Sequence, residues 1–291
     1  MICNQCPRKC NINRENALGV CKSPSAFRVA RAALHFWEEP CISGENGSGT
    51  VFFSGCNLGC VYCQNREISN ENKGVEVSKE RLIEIFEKLI SDGAENINLV
   101  TPTHYASQLA ELLKEWRSPV PVVYNSSGYE SPETLRALNS LVDIYLVDFK
   151  YIDSERAKRY SAAPDYPETV KAAIEEMCRQ QPEDIFDSRG IMQKGVIIRH
   201  LVLPSNTNQS IKILDCLKNG FKNRYMSLMA QYTPCGNLEG YPEINRQITK
   251  REYNKVVSYA ADSGFEKVFT QKLSSNEKKF IPAFDFTGIM W

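Results

Sequence analysis

Short, wholly apolar runs alternate with amphipathic stretches along most of the chain. Residues 50–53 read as a buried strand. Ser78 can cap a helix whose apolar positions Leu82, Ile85, Phe86, Leu89 and Ile90 fall on one face, and Asp92-Gly93 ends it. Residues 97–100 give the next strand, and the unit then repeats. A weakly patterned helix over 105–116 leads to a strand over 120–124. Ser131-Pro132-Glu133 opens a helix carrying Leu135, Leu138 and Leu141. A strand over 144–150 follows, then helical stretches over 154–160 and 168–179. The strand over 196–203 precedes a helix over 209–218 that Asn219-Gly220 closes, and 226–232 is a further strand. Thr249-x-x-Glu252 is a capping box for a helix that Gly264 terminates, and 267–270 is a last strand. The polar stretch 180–194, with Pro182 and Gly190, reads as a surface loop. The first 45 residues are poorly periodic.

Strands spaced by roughly 20–40 residues with helices between them predict βα units and a parallel sheet. Six or more such units predict an α/β fold whose sheet curls into a full or partial barrel, with chemistry at the C-terminal strand ends. The expected layout is a Cys-rich metal-binding segment over 1–45, the barrel over 46–272, and an aromatic tail over 273–291 packing on the barrel. That tail includes Phe280, Ile281, Phe284, Phe286 and Trp291.

Composition changes this picture little. The chain has 35 basic and 35 acidic residues, so no net charge draws it to nucleic acid or an anionic membrane. No apolar run is long enough to span a bilayer, and Met1-Ile2-Cys3-Asn4-Gln5 lacks the layout of a signal peptide. A cytoplasmic protein is expected.

The cysteines change it more. Cys56, Cys60 and Cys63 follow the first barrel strand at a Cys-x3-Cys-x2-Cys spacing, one thiolate short of the four a cubane cluster usually takes. Gly55 and Gly59 let the backbone fold tightly there. The competing reading is zinc with a histidine or carboxylate as fourth ligand; none of His35, His104 and His200 lies near in sequence. Cys3, Cys6, Cys10 and Cys21 form a second group, able to hold zinc or an auxiliary iron–sulfur cluster, with Cys41 as a candidate extra ligand. Cys178 and Cys216 read as helix packing.

On Cys56-Asn57-Leu58-Gly59-Cys60-Val61-Tyr62-Cys63 the chain resembles the radical S-adenosylmethionine (SAM) superfamily, and within it the pyruvate formate-lyase activating-enzyme-like proteins. The matching text continues through Cys6-Pro7-Arg8, Glu39-Pro40, Tyr62-Cys63-Gln64-Asn65, residues 98–104, Asp148-Phe149-Lys150, residues 199–204 and Ala230-Gln231-Tyr232. The resemblance implies a partial (β/α)6 barrel and a 4Fe-4S cluster on the three cysteines. SAM would bind the open iron and be cleaved reductively to a 5′-deoxyadenosyl radical, which takes hydrogen from a substrate. It implies a reductant such as flavodoxin or ferredoxin, and a protein substrate of the glycyl-radical kind.

The SAM contacts it suggests sit at strand ends. Tyr62 is the aromatic residue before the last cysteine. The family's Gly-Gly-Glu run is replaced by Thr101-Pro102-Thr103, whose hydroxyls or carbonyls stand in for it. Asn125 and Ser126 are neutral donors, Asp148 and Lys150 share one face of a strand, Arg199 can clamp a carboxylate, and Gln231 is a contact for adenine or ribose. Each has a plainer reading: Asp148–Lys150 as a buried ion pair, Arg199 as a solvated rim, His200 as structural, His104 as a loop residue. The rival functions are a peptide- or RNA-modifying radical enzyme and, in another class, a non-catalytic iron–sulfur or zinc protein for electron transfer or interaction.

Overall fold

The structure, a computed structural model, describes residues 2–273 and 282–290. Phe280, Ile281 and Trp291 of the expected tail lie outside the described residues. The chain begins with two short strands, β1 (Ile2–Cys3) and β2 (Ile12–Asn13), paired antiparallel. β3 (Phe27–His35) and the one-turn α1 (Pro40–Ser43) follow. The βα alternation then begins with β4 (Ser48–Phe53), α2 (Arg66–Ser69), β5 (Val75–Val77), α3 (Lys79–Ser91), β6 (Ile97–Val100), α4 (Ala106–Glu115) and β7 (Val122–Ser126). It continues through α5 (Pro132–Ala137), β8 (Ile144–Asp148), α6 (Ser154–Ser161), α7 (Tyr166–Gln180), β9 (Ile185–Phe186) and β10 (Met192–Leu201). α8 (Thr207–Lys218), β11 (Tyr225–Met229), α9 (Lys250–Asp262) and β12 (Val268–Thr270) complete it.

Strands β4, β6, β7, β8, β10, β11 and β12 lie side by side in that order, all parallel. β3 and β5 extend the sheet antiparallel beyond β4. Among the described residues the sheet does not close, so this is a mostly parallel α/β fold in the form of an open, partial barrel. β6 and β7 are buried along their whole length because both faces are covered, which is why they read as continuous apolar runs.

The caps behave as their residue types require. The Ser78 hydroxyl accepts from Arg81 N at 3.1 Å at the start of α3. At α9 the Thr249 hydroxyl accepts from Glu252 N while the Glu252 carboxylate accepts from Thr249 N, the reciprocal capping box.

Three local readings are corrected. Residues 27–35, inside the poorly periodic segment, form the long strand β3; its Arg28, Arg31 and alanines obscure the alternation because only part of each face is buried. The 180–194 stretch is not a plain loop. β9 pairs antiparallel with the start of β10 around a turn in which Asp187 Oδ1 accepts from Ile191 N at 2.9 Å. β7 begins and ends two residues later than its pattern, so Asn125 and Ser126 are its last two residues rather than the loop after it.

The lumen floor is filled by α1. Cys41 and Ile42 pack there with Val123, Ile144, Leu146 and Ile197. Cys41 is therefore a lumen residue at the end of the strands away from Cys6, whose neighbours are Cys21, Asn57 and Glu130. Cys178 and Cys216 pack partly buried against the main core. At the C-terminus Phe284 is buried edge-on against Phe52, and Thr287 O accepts from Ala32 N at 2.9 Å.

Candidate functional site

β4 delivers the chain directly into the loop that carries Cys56, Cys60 and Cys63. Gly55 takes φ +89°, and a Cβ there would lie 2.0 Å from Ser23 Oγ and 2.6 Å from Cys21 O. Only glycine fits this approach. The N-terminal segment braces the loop from outside: Arg8 Nε donates to Asn57 O at 2.8 Å, and Asn57 Nδ2 donates to Tyr129 O at 2.7 Å. His104 Nε2 meets Ser54 O at 2.8 Å; burial, with Arg14 beside it, pushes its imidazole down to about 3. It is a neutral brace at the root of the loop.

The three thiols line one cavity of about 150 Å³ together with Ser69, Asn125, Asp148, Lys150 and Arg199. Each cysteine sulfur has a local donor. Leu58 N points at Cys56 Sγ at 3.4 Å, Ser161 Oγ at Cys60 Sγ at 3.0 Å, and Ser69 Oγ at Cys63 Sγ at 3.3 Å. Burial, then the neighbouring Cys60, pushes the Cys56 thiol up to about 12, and the Cys63 thiol rises for the same reasons.

A charged ring stands over the thiols. Arg199 Nε donates to Asp148 Oδ1 at 2.8 Å, Arg199 Nη1 to Glu38 Oε2 at 3.1 Å, and Arg199 Nη2 to Asn125 Oδ1 at 2.7 Å. Lys150 Nζ reaches Asp148 Oδ2 at 2.6 Å, and Asn125 Nδ2 reaches Glu38 Oε1 at 3.2 Å. Burial alone would raise the Asp148 carboxyl, but Arg199 and Lys150 outweigh it and hold Asp148 below the usual carboxylate range. Burial raises Glu38 despite Arg199. A second cavity of about 250 Å³ shares this ring and adds Tyr62, Gln64, Leu201, Met229 and Gln231.

The structure therefore brings Cys56, Cys60, Cys63, Asn125, Asp148, Lys150 and Arg199 to one cavity, with Tyr62 and Gln231 in the next. The Tyr62 hydroxyl lies 2.7 Å from that of Tyr151, and Gln231 O accepts from Gln64 Nε2 at 2.7 Å. Thr101 lines the thiol cavity with its backbone at φ +58°. Ser126 lines the thiol cavity as well, but its hydroxyl and that of Thr103 are committed elsewhere. Both hydroxyls donate to Glu130 Oε1 at 2.5 Å, and Thr103 lines neither cavity. His200 faces away from the ring, bonded to Phe149 O and Ser210 Oγ.

Glu38, Glu130, Tyr151 and Ser161 were not singled out from sequence. Glu38 sits just past β3, and an acidic pair between Trp37 and Pro40 in an otherwise apolar stretch was its one available signal. In the second thiol group, Cys6 and Cys21 are buried while Cys3 and Cys10 are half-buried. Among the described residues no three or more His, Cys, Asp or Glu side chains converge closely enough to hold a single ion. No helix among them is long and apolar enough to cross a membrane.

An open parallel barrel with three thiols under a charged ring at the strand ends defines a barrel protein with a cysteine-lined mouth. The radical SAM superfamily model matches residues 50–217, and the chain belongs to that superfamily. A protein of Methanocaldococcus jannaschii described as uncharacterized is 30% identical over 277 residues, 92% of this chain and 76% of its own. The 7-carboxy-7-deazaguanine synthase of Methanothermobacter thermautotrophicus is 27% identical over 139 residues, 47% of this chain and 51% of its own. Among solved structures, Streptococcus suis SuiB bound to S-adenosylmethionine has a TM-score of 0.48 at 16% identity, over 75% of this chain and 48% of that one. The FeFe-hydrogenase maturase HydG of Carboxydothermus hydrogenoformans has 0.49 at 14%, over 80% and 56%. The chain thus spans about half the length of these two solved proteins.

Membership of this superfamily implies a 4Fe-4S cluster and SAM. The thiol geometry fits such a cluster. Cys56, Cys60 and Cys63 supply three thiols to one shared cavity, the donor chemistry such a cluster takes.

Proposed function

We propose that Cys56, Cys60 and Cys63 hold the cluster and that the ring of Asn125, Asp148, Lys150 and Arg199 holds SAM beside it. The observation that carries this reading is that all seven side chains line the one 150 Å³ cavity. When bound, cluster and SAM together supply a 5′-deoxyadenosyl radical after one electron arrives from a donor such as a flavodoxin or ferredoxin.

The chain's own residues do the rest. Lys150 and Arg199 put two cations at the cavity wall, suited to a carboxylate, and Asp148 fixes both in place. Asn125 offers amide chemistry from the end of β7. Tyr62, buried edge-on against Tyr160 and Tyr232, walls the second cavity and excludes water from its inner side. Tyr62 and Gln231 border the space left for the nucleoside end.

The hydrogen donor is a substrate in the cavity beyond. The likeness of Asp148-Phe149-Lys150 to glycyl-radical activating enzymes supports a partner protein as that donor, with a peptide or RNA as the rival. For the Cys3, Cys6, Cys10 and Cys21 group a second metal, zinc or iron–sulfur, rests on the four-cysteine spacing and on Cys21 acting on Cys6, and binding would have to draw the four thiols together.

The test is anaerobic reconstitution, reduction and addition of SAM, with 5′-deoxyadenosine measured by chromatography. Wild type should release it and Cys56→Ala should not. A cluster-loaded wild type that releases none, or an equal yield from Cys56→Ala, overturns the reading.

A further inference from the structure

A cavity much larger than the one that holds the thiols lies elsewhere on the barrel. A space of about 1120 Å³ opens between the segment after β3 and the β11–β12 edge of the sheet. It meets the 250 Å³ cavity at Trp37, Glu38, Glu39 and Gln271, which line both. These four residues stand between the large space and the charged ring, and Glu38 belongs to both.

The walls of this space have a definite chemistry. Phe186, Tyr225 and Phe269 stand in file, with ring centroids 5.2 Å and 5.6 Å apart, and Trp37 stands exposed at the mouth. Three of the carboxylates that line it are not equivalent. Glu38 is engaged by Arg199 and Asn125. Glu95 is clamped by Arg189 at 2.8 Å and 3.0 Å. Glu39 is only 7% exposed; Arg199 and the Ser227 hydroxyl act on its carboxyl, yet its Oε2 is buried without a hydrogen-bond partner. A buried carboxylate oxygen left unfilled costs stability unless something arrives to fill it.

The group that suits this position is a cationic nitrogen. Glu38 and Glu39 lie next to each other, so an anion would be repelled, while an ammonium or guanidinium would bond Glu39 and relieve its repulsion with Glu38. The file beside it offers aromatic surface to the body of such a molecule, chiefly from Phe186 and Phe269, because Lys267 already stands 4.9 Å over the Tyr225 ring. Burial, opposed by Arg199, holds the Glu39 carboxyl above its ordinary range, and an incoming cation would pull it back down.

We propose that this cavity is the substrate site, and that Glu39 receives a cationic nitrogen on a substrate whose apolar part lies along Phe186, Tyr225 and Phe269. The nitrogen comes from a free amine or from a lysine or arginine side chain of a peptide. This rests on the radical SAM reading for its purpose, but its geometry is independent of it.

The experiment measures binding to the cluster-loaded, SAM-bound protein without reductant, by calorimetry under anaerobic conditions. The probes are tryptamine, its anionic counterpart indole-3-acetate, and the blocked tripeptide acetyl-Phe-Lys-Phe-amide. Tryptamine or the tripeptide should bind at least tenfold more tightly than indole-3-acetate, and Glu39→Gln should remove that preference. Binding of tryptamine marks a free amine, and binding of the tripeptide alone marks a side chain. No binding by either cation, equal binding of cation and anion, or an unchanged preference in Glu39→Gln overturns the proposal. The wild-type comparison of the two charges decides even where Glu39→Gln does not fold. Because no reductant is present, a wild type that binds tryptamine but releases no 5′-deoxyadenosine when reduced refutes the radical reading and leaves the site standing.

Discussion

Arg199 and Asp148 lie directly opposite each other on neighbouring parallel strands, and Arg199 Nε donates to Asp148 Oδ1 at 2.8 Å. The same guanidinium also reaches Glu38 and Asn125, so one side chain ties the ends of β7 and β8 to the segment after β3. Both charges are largely buried, at 13% and 14% side-chain exposure. Removing one member of such a set strands the others. Arg199→Ala should therefore cost about 3–5 kcal/mol of folding stability. Arg199→Lys should cost less but still a measurable amount, because an ammonium cannot present a planar fork to three partners. Urea unfolding checks both, and a loss of under about 1 kcal/mol for Arg199→Ala would contradict the argument.

The two glycines of the cysteine loop should behave differently. Gly55→Ala combines a left-handed backbone with contacts at 2.0 Å and 2.6 Å, one of them to the backbone oxygen of Cys21. The expected loss is about 3–5 kcal/mol, with poor cluster loading. Gly59 also has positive φ, at +65°, but the nearest atom to an added Cβ is Asn70 Oδ1 at 3.7 Å. Gly59→Ala should lose only about 1–2 kcal/mol from backbone strain. Iron content per chain and thermal unfolding of the two variants distinguish the cases, and equal behaviour would contradict the assigned role of Gly55.

What could be read from the sequence follows from how local each signal is. The Cys56–Cys60–Cys63 spacing, the β6 and β7 runs and the Thr249–Glu252 cap are all set by neighbours in the chain. β3 was hidden because its arginines and alanines break the alternation on a strand whose faces are only partly buried. The ring around Arg199 was legible in its strand-end members but not in Glu38, which is 161 residues away and arrives through the path of the chain after β3. The hydroxyls of Thr103 and Ser126 looked available for a ligand until folding brought Glu130 between them.

That carboxyl has a pH consequence. Burial pushes Glu130 up from 4.5 to about 7, partly offset by the donors Ser126, Thr103 and Tyr124. Between those values the folded chain holds a proton that the unfolded chain has released. Stability therefore falls as pH rises through that window, by about 3 kcal/mol in all, and levels above it. Glu130→Gln cannot ionise, so its stability should lack this part of the slope. Urea unfolding of both proteins across the window gives the difference directly, and a difference that stays flat with pH would contradict it.

Ser161 offers the most direct handle on the cluster. Its hydroxyl donates to Cys60 Sγ at 3.0 Å, and Tyr151, 2.8 Å from Ser161, stands 3.8 Å from the same sulfur. Both hydroxyls are buried, so no solvent competes for the sulfur on this side. Hydrogen bonds to ligand sulfurs stabilise the reduced, more negative form of an iron–sulfur cluster and so raise its potential. Ser161→Ala should lower the midpoint potential by some tens of millivolts. Tyr151→Phe should lower it less, because its contact is longer and shared with Tyr62. An EPR-monitored redox titration at matched iron content reads both shifts. A Ser161→Ala potential equal to wild type, or shifted upward, would show that the hydroxyl does not act on the cluster.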